Sequence, residues 1–516
     1  MTSSGFPWLT ALIVLPLLGA ATVWALPRSQ RRIVRHVAFA FSIVELALAV
    51  GALLAFDTSA SGTHQLSETH AWISSFGVSY AVGVDGVGLA LVLLSVVLVP
   101  LVILAAWREQ DGDLDRLRHY VALVLLLEVF MVAVFAARDV FLFYVLFEAM
   151  LIPVYFMIGV FGGVHRRYAA VKFLLFSLAG GLIMLVGVIA LYLQGPGGPQ
   201  GFLIDNLVGA DIPVTTGRWL FAAFFIAFAI KAPMFPVHTW LPDAAENAPA
   251  GTSVLLVGVL DKVGTFGMLT LCLPLFPEAS RWAAPAVIVL AVISILYGGL
   301  LAIGQKDLMR LIAYTSVSHF GVIVLGIFAF TSVSVAGSSF YMVNHGLSTG
   351  GLFLLAGYLV RRRGSQQIAD FGGLQKVTPV LAGLFLTVGL SALSLPGMST
   401  FVSEYLVLIG TYARHRPAAV AAVVVVILAA LYILLTYQRI FTGPVRTGLE
   451  TTPDLSTREK WAVAPLVAIM LVLGFYPAPA LDLVREPAKV TLELIGVQDV
   501  PAVAAQNAAA TEGSNK

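Results

Sequence analysis

The chain has 516 residues, 59% hydrophobic and only 11% charged, with a formal net charge of +2, whereas ordinary soluble domains carry roughly 25% charged residues. That balance excludes a water-soluble globule, and so small a net charge leaves no basic surface for nucleic acid. The single cysteine, Cys272, excludes an internal disulfide.

The chain opens on an apolar stretch, residues 7–26, with no cationic leader and no small-residue cleavage site; it reads as a first membrane span and not as a signal peptide. Further runs of roughly 17 to 25 apolar residues follow near 33–56, 84–106, 119–137, 140–160, 170–194, 219–236, 251–273, 283–303, 311–330, 338–360, 379–411, 418–441 and 461–478. Fourteen spans are thus predicted, the twelfth overlong. Backbone groups in hydrocarbon must be satisfied internally, and these runs are too long and uniformly apolar for barrel strands, so the predicted fold is an all-α membrane bundle. The long connections 57–83 and 195–218 read as plain capping loops. Residues 479–516 form a C-terminal tail, and the part from Pro501, rich in Ala and Asn, predicts a disordered segment.

Lysine and arginine are distributed unevenly over the predicted loops. Nineteen lie on one face, among them Arg31, Arg118, Arg166, Arg310, Arg362 and Arg458, and eight on the other, among them Arg138, Arg218 and Arg414. The positive-inside rule places the first face in the cytoplasm and both termini outside it, in a plasma membrane. The remaining three cations, Lys172, Lys231 and Lys262, fall within predicted spans.

A charge near the bilayer centre costs at least roughly 2.5 to 3.5 kcal/mol on insertion scales, so each such residue is a functional hypothesis. Glu45, Glu128, Glu148, Lys231, Asp261, Lys262, His319 and His345 fall near mid-depth, and Glu404 lies in the twelfth span. Lys172 is close enough to a span end for its stem to snorkel to the surface, which makes a structural role as plausible as a functional one. Two spans are interrupted, the seventh by Pro233 and Pro236 and the twelfth by Pro396 and Gly397, each beside an ionisable residue. Such breaks are tolerated where they are buried in protein or line a cavity, and paired breaks in two halves of a transporter point to its ion site. Glu148 precedes Lys231 by 83 residues and His319 precedes Glu404 by 85. Residues 119–273 and 283–441 therefore read as two five-helix repeats, inverted because the repeat length is odd. Residues 1–118 supply three leading spans and 442–478 a final one.

Burial makes a lysine give up its proton more readily and a nearby carboxylate makes it hold on, so such a lysine can be switched. Glu148 beside Lys231 fits that device. Lys262, His319 and His345 are candidates for onward relay, with Glu404 as terminal group and Glu128, His238 and Lys172 as a secondary path. The structural alternative, histidines that merely hydrogen-bond neighbouring helices, is substantial for each histidine alone and weak for two mid-depth lysines. No cysteine cluster, Walker A sequence or dinucleotide fingerprint is present, so no nucleotide, metal or redox site is expected on this chain.

The segments KAPMFPVHTWLPDA, SVLLVGVLDKVGTFG and LPGMSTFVSEYL resemble the antiporter-like membrane subunits of respiratory complex I, over essentially the whole length. The resemblance implies fourteen helices in inverted repeats, a Glu–Lys pair at Glu148 and Lys231, a central lysine at Lys262 and a terminal ionisable group at Glu404. L-type and N-type members and the related sodium/proton antiporters usually carry lysine at this last site, whereas FVSEY matches the glutamate of the M-type branch. One departure concerns the motif after LPDA, usually His-x-Glu-Ala-Pro: here Ala245, Glu246 and Asn247 precede Ala248, and only Glu246, one position away, offers a replacement. The resemblance implies a proton-translocating subunit of an NADH:quinone oxidoreductase, without cofactor of its own, with flavin, iron–sulfur clusters and quinone on other subunits and L-type and N-type chains as neighbours. A sodium/proton antiporter subunit and the anchor of a membrane-bound hydrogenase are the alternatives.

Overall fold

The computed structural model describes residues 5–27, 33–107 and 113–500. The segment from Pro501, Arg28, Arg31, Arg32 and Arg108 lie outside the described residues. The elements are, in order, α1 (Trp8–Ala25), α2 (Val34–Ala55), β1 (Gln65–Ile73), β2 (Val78–Val84), α3 (Gly86–Ala106), α4 (Leu114–Ala136), α5 (Val140–Ala149), α6 (Leu151–Phe161), α7 (Arg166–Gln194), α8 (Val214–Lys231), α9 (Trp240–Asn247), α10 (Ala250–Leu275), α11 (Pro277–Gly304), α12 (Leu308–Phe328), α13 (Ser332–Arg363), α14 (Pro379–Ala392), α15 (Ser399–Arg414), α16 (Arg416–Phe441), α17 (Thr457–Phe475) and α18 (Ala478–Leu494).

Among the described residues eleven helices are long and apolar enough to cross a membrane, and a twelfth results if α17 and α18, bent by 70° at their junction, count as one. The other predicted spans take different forms for physical reasons. α13 has 32 residues but is rich in Ser and Gly and ends on three arginines. The overlong 379–411 run is two helices, α14 and α15, parted at Leu393–Met398 where Pro396 and Gly397 interrupt it. The 140–160 run, one of the eleven, is built from two helices, α5 and α6, that meet at Met150. The predicted tail begins with an amphipathic helix, α18, which packs on α13 and α3.

The 57–83 connection is more than a loop: β1 and β2 pair antiparallel, with Thr69 opposite Ala81 and His70 opposite Tyr80. Val82 bridges to Ala137 and Asp139 to Leu203, so this hairpin ties the connections on one end of the bundle together. Polar caps start the helices where the hydrophobic runs begin: Asp85, Asp113, Asp139 and Asp307 accept from the first free N–H groups of α3, α4, α5 and α12.

Burial sorts the helices into an interior and a shell. α10 and α12 are 94% buried within their apolar windows, against 33% for α1 and 28% for α2. Helices exposed on one side present that side to lipid or neighbouring chains, whereas α10, α12 and α13 can carry polar groups because other helices enclose them.

Candidate functional site

Lys231 is the last residue of α8. The chain leaves the helix at Ala232 and resumes at Trp240 in α9, and the Trp240 indole N–H donates to the Ile230 carbonyl at 2.9 Å, satisfying one acceptor freed by the break. The Lys231 side chain is 1% exposed and its Nζ has no hydrogen-bond partner among the described residues. It lies 5.0 Å from the centre of the Phe147 ring and 5.9 Å from that of Phe173, so aromatic faces hold the cation. Glu148 follows Phe147 at the end of α5, half-buried, its carboxylate against Gly181 of α7. Glu148 acts on Lys231 through space, as does Asp261 from α10.

α10 carries Lys262 between two π-helical turns, Leu256–Leu260 and Met268–Cys272. A π-turn inserts an extra residue and loosens the carbonyl ladder, which is why such turns collect at functional positions. Here Lys262 Nζ donates to the Val257 carbonyl at 2.6 Å and meets Nδ1 of His345, on α13, at 2.7 Å. Phe320 lies 5.0 Å away, ring centre to Nζ. The Asp261 carboxylate interacts with both lysines and has no hydrogen-bond donor among the described residues. α10 approaches α8 closely at Gly264, where a Cβ would strike the Phe228 carbonyl and the Ala232 amide.

From His345 the row continues. The His319 ring, on α12, stands 5.4 Å from that of His345 and nearly perpendicular to it. His319 Nε2 meets the Tyr432 hydroxyl at 2.9 Å, and the Tyr341 ring is 6.0 Å from His319. The Tyr341 hydroxyl donates to Glu404 Oε2 at 2.9 Å and Ser394 Oγ to the same oxygen at 2.6 Å. Ser394 lies in the α14–α15 break, with φ of 60°, and Gly397 beside it has φ of 93°, a left-handed conformation natural to glycine. Asn344 on α13 donates to the Ser399 carbonyl at 3.1 Å, fastening the start of α15. His345 Nε2, His319 Nδ1 and Glu404 Oε1 have no hydrogen-bond partner among the described residues. Buried polar atoms left in this way mark places for water or a moving proton.

Lys262, His345, His319 and Glu404 are thus brought together through two tyrosines, with Lys231 and Glu148 at one end. Three predicted residues lie elsewhere. Lys172 pairs with Asp243 at 2.6 Å; Asp243 also accepts from Arg310 at 2.5 Å, and Arg310 reaches Glu246 at 2.7 Å. Burial opposes ionisation of Asp243, but Lys172 and Arg310 outweigh it and hold its carboxyl below its ordinary value. Glu246 therefore serves an ion-pair cluster joining α7, α9 and α12. His238 is buried in the α8–α9 break, its ring 5.3 Å from Tyr297. Glu128 is on α4 opposite Glu45 of α2. Tyr341, Tyr432, Ser394 and Gly181 were not singled out from sequence, and Asp261 was noted at mid-depth but given no place on the path. Asp261 had a signal, its position beside Lys262. The hydroxyl residues and Gly181 had none, because Tyr, Ser and Gly are common in membrane helices.

Fold and site together define a polytopic helical membrane protein with a row of ionisable groups enclosed between broken helices. Residues 137–429 match the family described as NADH:quinone oxidoreductase/Mrp antiporter, TM. The chain is 46% identical over 547 aligned residues to NADH-quinone oxidoreductase subunit M of Mycobacterium tuberculosis, covering 98% of each. A chain of respiratory complex I from Thermus thermophilus with bound NADH superposes with a TM-score of 0.86 at 32% identity, over 94% of this chain and 99% of that one. A chain of the Mrp complex from Dietzia sp. DQ12-45-1b shares the fold, with a TM-score of 0.83 at 23% identity, over 95% and 99%. This chain belongs to the subunit M family of NADH-quinone oxidoreductase, the antiporter-like membrane subunits of complex I.

Proposed function

We propose that this chain is a proton-translocating membrane-arm subunit of a bacterial NADH:quinone oxidoreductase. Electron transfer and its cofactors reside on other subunits, and L-type and N-type antiporter-like chains lie alongside. The observation that carries the reading is the continuous row from Lys262 through His345, His319 and the two tyrosines to Glu404. A change of charge beside the half-buried Glu148 alters its hold on Lys231. Asp261 passes that change to Lys262, whose proton reaches His345 at hydrogen-bonding distance. The ring nitrogens of His345 and His319 that lack protein partners are where water completes the path to Glu404 and the face opposite the basic loops. Moving one charge against 100 mV costs about 2.3 kcal/mol, within reach of one such change in partner. In this reading residues 119–273 and 283–441 are inverted units, each contributing one broken helix, and both termini face the periplasm. His238, Lys172 and Glu128 serve proton entry from the sides.

The test is NADH-driven proton uptake in inverted membrane vesicles carrying Glu404→Gln, with NADH oxidation and assembly measured in parallel. Loss of uptake and slowed oxidation in an assembled complex are expected; wild-type uptake and oxidation would reject the path. A sodium/proton antiporter subunit is the second reading, and the glutamate at 404 in place of lysine is what disfavours it.

A further inference from the structure

The row described above does not run through one pair of buried ionisable groups, of which Glu128 alone has so far been given a place, at proton entry. Glu45, midway along α2, and Glu128, midway along α4, are each fully buried, and none of their four carboxylate oxygens receives a hydrogen bond from any N–H or O–H among the described residues. The placement of Glu45 is not incidental. α2 is a peripheral helix, with Val44, Val50 and Leu54 exposed, yet its buried residues Ala38, Ser42, Glu45, Ala49 and Ala52 form one stripe of small side chains around the glutamate. Small neighbours let α2 and α4 approach closely, and the two carboxyl groups act on one another across that contact.

No cation among the described residues compensates them. α1 and α3, which pack on both helices, contain no ionisable residue. On α2 the nearest are Arg35 and His36, nine or more residues away; on α4 they are Asp115, Arg116, Arg118, His119 and Tyr120, all at its first turns. The other neighbours of α4 bring Tyr80, Tyr144, Glu148, Tyr155, Asp261, Lys262 and Cys272, yet the group acting on each carboxyl of the pair is the other carboxyl. Two acceptors facing one another in an apolar contact, without donor or countercharge, are stable only if a proton lies between them, since like charges so placed cannot both ionise.

We propose that Glu45 and Glu128 form a carboxyl pair that binds and shares a proton at the α2–α4 contact, a proton site separate from the Lys–His row. Neither residue acts alone: one donates to the other, and the peripheral helix α2 is a member of the proton-binding machinery and more than a lipid-facing strut. The proposal concerns where a proton resides and stands whether or not pumping follows the row to Glu404.

The experiment is infrared spectroscopy of the whole complex, comparing spectra in H₂O and D₂O at about pH 9, far above the ordinary glutamate value of roughly 4.3. The wild type should show a deuterium-sensitive carbonyl stretch of a protonated carboxyl. Glu45→Gln and Glu128→Gln should each shift that same band, and the double variant should abolish it. Separate bands that respond independently, or no response to either substitution, would overturn the pair. A band absent in the wild type unless sodium is removed would assign the site to a metal cation instead and equally overturn the proposal. Glu45→Asp, which keeps the acid and lengthens the contact, should move the band without removing it. It serves if the Gln variants do not assemble.

Discussion

Gly181 of α7 lies so close to Glu148 that a methyl group at that position would overlap the carboxylate. Alanine is otherwise favoured over glycine in a helix interior by roughly 0.8–1.0 kcal/mol, so Gly181→Ala alters no charge and should not weaken α7. The yielding partner is the end of the Glu148 side chain, which must retreat by about 2 Å to regain normal van der Waals separation. At an effective dielectric of about 20, two unit charges attract by roughly 2.8 kcal/mol at 6 Å and about 2.1 kcal/mol at 8 Å. The loss of about 0.7 kcal/mol corresponds to about a threefold change in how firmly Lys231 keeps its proton. NADH-driven proton uptake by inverted vesicles should therefore fall about threefold per NADH oxidised, with thermal stability unchanged or slightly higher. Glu148→Asp is one methylene shorter and clears the new methyl, so Gly181→Ala should have little further effect in a Glu148→Asp background. Wild-type uptake in Gly181→Ala, or losses that multiply in the double variant, would refute the idea that Gly181 sets the position of this carboxylate.

Other substitutions probe the rest of the row. Tyr341→Phe keeps the ring but removes a hydroxyl bonded to Glu404, an interaction worth roughly 1.5–3 kcal/mol when one partner is charged; uptake should drop at least tenfold in an assembled complex, and normal uptake removes Tyr341 from the path. Lys262→Met preserves length but leaves the Val257 carbonyl and His345 Nδ1 without their donor, at a cost of roughly 1–3 kcal/mol each. Proton uptake should fall to background and the thermal midpoint decline, and a complex that pumps without Lys262 contradicts the relay. At the basic face, the folded-state value of Asp243 lies below its ordinary one, so its contribution is present above the ordinary carboxylate value and is lost as pH falls through the lower folded value. Thermal midpoints measured against pH should show an acid decline that Asp243→Asn flattens; parallel curves for the two proteins would exclude this role.

What the sequence disclosed, and what it hid, follows from the cost of burial. Lys231, Lys262 and Glu404 stand out in any reading because hydrocarbon makes a lone charge expensive, and Pro236, Pro396 and Gly397 announce the breaks because they cannot continue a helix. The division of the overlong 379–411 run at Leu393–Met398 was legible for the same reason. The break at Met150, next to Glu148, was not: nothing in VLFEAMLIPV signals it except Pro153, which sits inside the first turn of the following helix, where proline is tolerated. The π-turns around Lys262 are also silent, since every residue in LVGVL and MLTLC is compatible with an ordinary α-helix. The β1–β2 hairpin was read as a loop because its alternation is weak and most β1 side chains are exposed.

The partners of the charged residues were the least legible of all, and they give the row its chemistry. A histidine on α12 and one on α13 are twenty-six residues apart in sequence, and only the packing of those helices sets their rings 5.4 Å apart. Tyr432 comes from α16, a peripheral helix with no other claim to function, yet its hydroxyl supplies the contact of His319 Nε2. Lys262 is held by Val257 and His345, and the three groups after it each keep one contact and one atom without a partner among the described residues: His345 at Nε2, His319 at Nδ1, Glu404 at Oε1. A fully satisfied network would be rigid and would keep its protons where they are, and an unsupported one would not survive burial. The combination, one side anchored and the other open, is the arrangement a proton relay requires, and it arises here because two helices break where the ionisable residues stand.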